Sequence, residues 1–580
     1  MGDSPKKEIE NNDVSDVELP KKEKEDDKEI KKEKEDDPIK PHRPYPGFRK
    51  NFYYYFTEYS HNTGIQGFKY MGEQERTIFE RLWWLVLFCV SLYICINLII
   101  QTWIKWTTSP VLLSFGKKPT FVWQVPFPAV TICPETKACQ RLYNYTENYY
   151  LSMSNNMTDE ERNTFSDLSL VCGQHPGNFN AQGNLTIDNS TIEFLMAIAP
   201  DFNDVLISCR YTQRNENCIN FFTPILTGDG LCFTFNMLDK EELFKKNVFL
   251  NGDFMSHDRK SEGWNLRNGY PADAPLNTFP KRAMFAGASN GLLLLLTAYE
   301  YDLDYICNGH FQGFKIFLHN PVETPGKKYF RAALNEELLV AVKPDMMTTS
   351  KVLETYEAHR RQCYFPEERN LSFFQSYTQD NCKLECDANF ILKKCNCVAY
   401  FMPHEENTPI CGPGSHACMF EAQYELLRLK VSLELNNGQE NSNFASECDC
   451  LPSCTSLIYN AETSQTQFNW QKWLESSKFD INEFEPGIQM TRVDIFFKEQ
   501  QFITSERTGV GASNELYGIT DFLANCGGIL GLFTGFSFLS IVEIVYFLSL
   551  RLICNVKKHG LHYWSGSPDL VNNDICIHKK

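Results

Sequence analysis

Polar side chains, among them Asn525, Ser537, Ser540 and Glu543, interrupt a mainly apolar stretch near the carboxy terminus. None of them is set up for bond-making chemistry. An ionised carboxylate accepts only, and amide and hydroxyl oxygens add dipoles, so the set suits replacing part of a small cation's hydration shell. A carboxylate near mid-membrane costs roughly 2.5 to 3.5 kcal/mol on insertion scales, so Glu543 is expected to face protein or water. Gly527, Gly531 and Gly535 recur every four residues in the same stretch, on one broad helical face, and small residues at that spacing let helices approach closely. A plain lipid anchor or a simple helix pair requires neither the carboxylate nor the other polar groups.

Enzyme chemistry finds little support elsewhere. His404-Glu405 begins a zinc-protease pattern, but Thr408 stands where the second histidine ligand would be. There is no Gly-rich phosphate loop between strand and helix. The reading is a non-enzyme with no cofactor and no metal. The net charge of -17 lacks the basic stripe that nucleic acid requires.

These polar residues need an element to hold them in the membrane. Leu82 to Ile104 is uncharged over about 23 residues, enough for a hydrocarbon core of roughly 30 Å, and Trp83, Trp84, Trp103 and Trp106 mark its two ends. The second apolar segment, Ile519 to Cys554, is longer than one crossing needs. Lys69, Arg76 and Arg81 precede the first span, and Arg551, Lys557 and Lys558 close the second, which places both termini in the cytoplasm despite Lys105. No apolar stretch follows Met1, so insertion through an internal span is expected rather than a cleaved leader.

The region between the spans is then extracellular. It carries 17 of the 22 cysteines, as expected of a domain stapled in an oxidising compartment, and close pairs such as Cys395 with Cys397 read as disulfide partners of other cysteines rather than zinc ligands. Glycosylation sequons stand at Asn144, Asn156, Asn184, Asn189 and Asn370, all between the spans. Alternation of Phe314, Ile316 and Leu318 with Lys315, Phe317 and His319 predicts a half-buried strand, and an α+β domain overall.

Several segments carry a family resemblance. Phe127-Pro128-Ala129-Val130-Thr131-Ile132-Cys133, Gly230-Leu231-Cys232-Phe233-Thr234-Phe235-Asn236, and Gly313-Phe314-Lys315 leading to His319-Asn320-Pro321 are three of them. Others are Cys382, Cys386, Cys395 and Cys397 followed by Tyr400 to Pro403, and Cys448-Asp449-Cys450-Leu451-Pro452-Ser453-Cys454. Together they resemble the degenerin, epithelial sodium channel and acid-sensing channel superfamily from about Asn51 to Cys554, and the overall pattern is most similar to its invertebrate FMRFamide-gated sodium channels.

The resemblance implies a homotrimer in the plasma membrane. It implies disulfides joining Cys133 with Cys232, Cys209 with Cys218, Cys363 with Cys454, Cys382 with Cys450, Cys386 with Cys448, Cys395 with Cys418, and Cys397 with Cys411. Cys139, Cys172 and Cys307 fall outside that scheme; a Cys139–Cys172 bridge with Cys307 free is the expectation. Gly535-Phe536-Ser537 matches the family's selectivity-filter tripeptide, and Ala524 its small residue at the outer mouth. Asn525 stands where the family usually has Asp, and Thr63-Gly64 where it has His-Gly, so the imidazole is missing.

The expected organisation is a disordered charged tail over 1–50 and a re-entrant pre-span segment over 51–81, with the first span at 82–104. The extracellular domain takes 105–518, the second span with the filter 519–554, and a cytoplasmic tail 555–580. Expected partners are the membrane, sodium ions, other copies of the chain and a short amidated neuropeptide, with block by amiloride. The peptide expectation leans on aromatics at Tyr143, Tyr145, Tyr149, Tyr150 and Phe165 beside acids such as Glu147, Asp159, Glu160 and Glu161, which would suit a cationic peptide. Proton gating or constitutive opening are alternatives within the same superfamily, and a cysteine-rich receptor that passes no current is the alternative outside it.

Overall fold

A computed structural model of the chain describes residues 46–571, apart from 74–75, 109–111, 117, 155, 173–182, 216–217, 249–258, 276, 436–447, 479–483 and 509–518. Most of the expected amino-terminal tail and the last residues of the carboxy-terminal one lie outside the described residues. The chain forms two compact units, one from the chain up to Cys95 and from Gly527 onward, the other from Ile96–Cys526.

In chain order the helices that bear on the site are α1 (Phe48–Asn62), α2 (Phe68–Gly72), α3 (Ile78–Thr108), α4 (Tyr145–Met153), α5 (Asp159–Leu168), α6 (Asn189–Ile198), α7 (Gln379–Cys395), α8 (His416–Leu435), α9 (Ile519–Thr534), α10 (Phe538–Tyr546) and α11 (Leu552–His559). Helix α1 begins at Phe48, inside the stretch expected to be tail. Helix α3 has 31 residues, about 46 Å at the usual rise, and runs past both expected ends, from Ile78 to Thr108. Its portion Ile78–Ile104 and the run Phe538–His559 are each long and apolar enough to cross a membrane. The second apolar segment is not one helix: α9 stops at Thr534, α10 starts at Phe538, and a wider π-type turn at Phe547–Arg551 joins α10 to α11.

The Ile96–Cys526 unit is built on two sheets. Its strands are β1 (Leu112–Phe115), β2 (Ala129–Pro134), β3 (Leu206–Tyr211), β4 (Arg214–Asn215), β5 (Phe222–Thr227), β6 (Gly230–Phe235), β7 (Leu292–Tyr299), β8 (Gly313–His319), β9 (Phe330–Ala333), β10 (Glu336–Thr349), β11 (Ser456–Gln467), β12 (Ile488–Phe497) and β13 (Ser505–Thr508). The eight-stranded sheet runs β1-β13-β10-β12-β7-β3-β4, with β11 also paired to β10. The five-stranded sheet runs β9-β8-β2-β6-β5. In β10 the residues Leu338, Val340 and Val342 are buried while their neighbours are not, the period-two signature of a strand with one face on a core. Long antiparallel pairing from Glu336 opposite Gln467 to Met347 opposite Ser456 fixes the register of β10 on β11.

Strand β8 corrects one expectation. It is buried on both faces, Lys315, Phe317 and His319 included. A lysine inside is tolerated because Lys315 pairs with Asp229 and stands 4.0 Å from Glu135, which in turn receives Arg331 at 2.9 Å. Periodicity alone does not separate a half-buried strand from one whose polar residues find buried partners.

Disulfides staple the α7 and α8 region: Cys382–Cys450, Cys386–Cys448, Cys395–Cys418 and Cys397–Cys411, with Cys363–Cys454 beside them. Cys133 pairs with Cys232, and Cys209 is also disulfide-bonded, while the side chain of Cys218 lies outside the described residues. The expected Cys139–Cys172 bridge is not formed. Cys172 pairs with Cys307, their Cα atoms 4.5 Å apart, and Cys139 is a buried free thiol. Proximity along the chain favoured the wrong partner; α4 packs on the turn holding Cys307, where Asp304 accepts from Thr146 at 2.7 Å.

Candidate pore and filter site

The break in the second span starts with geometry that only glycine takes easily. Gly535 has φ +66, and a Cβ there would stand 2.9 Å from Gln66 Cγ and 3.3 Å from Gly64 O. Ending α9 at this point leaves carbonyls without helical partners, which is costly in a region poor in water. Two neighbours satisfy them: Ser91 of α3 donates its hydroxyl to Phe533 O at 2.7 Å and the Gln66 amide donates to Thr534 O at 3.0 Å, while the Gly535 amide closes the last helical bond onto Gly531 O at 3.0 Å.

The other side of the break is the start of α10. Ser537 is extended (φ -121, ψ 171) and exposed, and its amide donates to Ser540 Oγ at 3.2 Å. Two turns into the helical run, Glu543 accepts the backbone N–H of Gly64 at 3.1 Å. Glu543 is half-buried, so the carboxylate is tied to protein on one side while part of it stays accessible.

The segment that supplies Gly64 and Gln66 is itself anchored. Thr63 terminates α1, its amide bonding Tyr59 O at 2.9 Å and its hydroxyl accepting the Ile65 amide at 3.4 Å. Below it, Tyr55 donates to Phe547 O at 2.5 Å and Arg551 reaches Glu58 at 2.5 Å. Asn51, fully buried, donates to His562 O at 3.0 Å and accepts from Ser565 Oγ at 2.7 Å. The aromatic series Phe48, Phe52, Phe56 and Phe68 runs along α1 to α2 with ring centroids about 6 Å apart.

The structure therefore brings Gly535, Ser537, Glu543, Thr63 and Gly64 together within one unit, with Phe536 between the first two. Ala524 and Asn525 lie on α9, exposed, in the part of the chain that belongs to the other unit. Reading the sequence missed Gln66 and Ser91. Gln66 acts through its backbone amide, which has no residue signature, and Ser91 looks like one polar residue in an apolar helix.

In the Ile96–Cys526 unit the aromatics expected to line a pocket are mostly core. Tyr145 and Phe165 are buried and stacked at 4.7 Å, with Tyr143 and Tyr149 packed against the same cluster; Tyr150 is exposed. Glu161 and Thr158 form a capping box at the start of α5, Asp159 and Glu160 sit in the same first turn, and Glu147 begins α4 over the Asn144 cap. His404 is buried with Nδ1 2.8 Å from Met402 O. Of the sequon asparagines, Asn156, Asn184, Asn189 and Asn370 are exposed and Asn144 is half-buried.

One carboxyl stands apart. Glu323 follows β8 and sits against the start of α7, where burial, reinforced by the negative charge of Asp380, pushes its pKa up to about 7. Burial also raises Asp302, partly offset by Arg141 at 3.3 Å.

A model of the family described as amiloride-sensitive sodium channel matches residues 59–547. Pickpocket protein 28 of Drosophila melanogaster is 28% identical over 513 residues, covering 86% of this chain and 78% of that protein. Sodium channel protein Nach of Drosophila ananassae is 21% identical over 535 residues, covering 87% and 90%. Acid-sensing ion channel 2 of Rattus norvegicus is 25% identical over 397 residues, covering 64% and 63%. The matched span takes in Gly64, both apolar helices, the disulfide-bonded cysteines and the break at Gly535, and the chain belongs to the amiloride-sensitive sodium channel family, a family of membrane ion channels and not of enzymes.

Proposed function

We propose that three copies of this chain assemble around a water-filled axis lined by their broken second spans, and that this pore passes sodium in preference to potassium and is blocked by amiloride. The observation that carries the reading is the interruption between α9 and α10, where Gly535, Phe536 and Ser537 leave helical geometry and the freed carbonyls of α9 are satisfied by α3 and the re-entrant loop. Irregular backbone at membrane depth is tolerated where it is buried in protein or lines a cavity. Gly535, Phe536 and Ser537 form the filter, Glu543 supplies negative charge on its inner side, and Ala524 with Asn525 belongs to the outer mouth. Both termini are cytoplasmic and the cysteine-rich domain faces outward at the plasma membrane. Voltage-clamp recording of cells expressing the chain, with sodium replaced by potassium and then by a large organic cation, tests this. A reversal potential that follows sodium supports the reading, and the absence of any added cation current at normal surface expression overturns it.

An extracellular chemical signal opens the pore. The peptide reading, an FMRFamide-like amidated ligand, rests on the resemblance and on Tyr150 and Glu147, both exposed. A second reading, opening by acid, is favoured by Glu323, a carboxyl poised to change charge near neutrality. FMRFamide applied at neutral pH, and separately a fall in pH, divide the two: current in acid alone removes the peptide.

A further inference from the structure

The exposed residue of the break, Ser537, is held by a residue that is not exposed. Ser540 is 2% accessible, and its hydroxyl oxygen accepts the Ser537 amide at 3.2 Å and lies 3.4 Å from Ser537 Oγ. The Ser540 amide donates to Ser537 O at 3.0 Å. Backbone and hydroxyl of one residue are thus fastened from the following turn. A Glu or Gln at this position of a helix start often reaches back in the same way; serine does so with a short, neutral side chain that adds no second charge beside Glu543. Gly64 lies beside it without crowding, since a Cβ there would stand 3.9 Å from Ser540 Oγ, an ordinary contact.

We propose that Ser540 is a positioning residue for ion selection, which sets the direction of the Ser537 carbonyl and hydroxyl without touching the ion. The inference rests on the reading of Gly535 to Ser537 as the filter. Discrimination between cations of similar charge depends on where a few oxygen dipoles sit, so a residue that orients one ring of them changes selectivity from behind it. Without the Ser540 oxygen the Ser537 amide lacks its acceptor, and the peptide planes on either side are free to turn toward another.

Threonine and valine have nearly the same shape and differ by the hydroxyl, so Ser540→Thr and Ser540→Val separate the hydrogen bond from packing. With surface expression measured by biotinylation, Ser540→Thr should keep the sodium-to-potassium permeability ratio within about twofold of the parent, while Ser540→Val and Ser540→Ala should lower it at least several-fold. Equal ratios in the Thr and Val variants overturn the proposal. Ser537→Ala is measured alongside: a shifted ratio there with none in Ser540→Val rejects only the role of Ser540, whereas no shift in either rejects the filter itself. If the Val and Ala variants reach the surface but carry no current, Ser540→Cys decides. Its current should ignore water-soluble thiol reagents that block Ser537→Cys, and block of Ser540→Cys would place the residue on the ion path and end the proposal.

Discussion

Gly64 donates its backbone N–H to the Glu543 carboxylate at 3.1 Å, a contact between residues 479 apart in sequence. The same side chain therefore has two separable properties, a charge and an acceptor. Glutamine keeps an acceptor and loses the charge, and alanine loses both.

Glu543→Gln is expected to reduce single-channel cation conductance while leaving gating near that of the parent. Glu543→Ala should do both, reducing conductance and shortening openings, because the re-entrant loop loses its tether. Single-channel recording of the two variants checks this, and identical behaviour in both would show that the hydrogen bond to Gly64 contributes nothing.

Gly535 and Gly64 should respond differently to one added methyl. At Gly535 alanine must adopt φ near +66, which costs an L-residue about 1 to 2 kcal/mol, and its Cβ would also crowd Gln66 at 2.9 Å. At Gly64 the nearest atoms to a Cβ are 3.9 and 4.0 Å away, an ordinary contact. Gly535→Ala should abolish current or change its selectivity, and Gly64→Ala should conduct like the parent. Loss of current in Gly64→Ala at normal surface expression would contradict the geometry.

What was legible in the sequence followed from local physics. The uncharged first span, the glycine-spaced second one, the burden of Glu543 and the crowding of cysteines are properties of a residue and its near neighbours. The disulfide scheme and the filter assignment proposed above came through resemblance, since spacing does not determine pairing. What escaped depends on contacts between distant stretches: the Cys172–Cys307 pair, the buried lysine of β8 with its partner Asp229, and the Gln66 amide under Thr534. The distal aromatics were ambiguous for the same reason, because a Tyr that stacks in a core and one that lines a pocket read alike.

Cys172→Ser and Cys139→Ser should differ in consequence. Removing the Cys172–Cys307 bridge opens a loop of 135 residues and is expected to cost about 2 to 5 kcal/mol, enough to reduce surface expression. Cys139 is a free buried thiol, so serine there loses only a little apolar packing. Peptide mapping under non-reducing conditions gives the same answer independently: a Cys139–Cys172 peptide would refute the assignment.

Arg551 and Glu58 join the turn after α10 to α1, with Nη2 to Oε1 at 2.5 Å and Nε to the same oxygen at 3.2 Å. Both side chains are partly exposed, so the pair is worth on the order of 1 kcal/mol or less to stability, and its effect should show in gating. Arg551→Glu and Glu58→Arg are each expected to alter open probability, and the double reversal to recover most of it. A double variant no better than the singles would argue against the pairing.

Glu323 gives a pH dependence whose sign is set by its raised pKa. Its ordinary value is 4.5 and its folded value about 7, so the folded state holds a proton that the unfolded state has released over that window. The stabilisation this proton supplies is complete below about pH 4.5 and is lost as pH rises through about 7, so acidification across that interval should raise the thermal midpoint of the purified protein, by an amount on the order of 3 kcal/mol in free energy. Glu323→Gln, permanently neutral, should show a smaller change in melting temperature across the window than the parent. If the same variant also loses acid-evoked current while keeping current evoked by other means, Glu323 is part of the proton response; if acid-evoked current survives unchanged while the melting shift shrinks, its protonation serves stability alone.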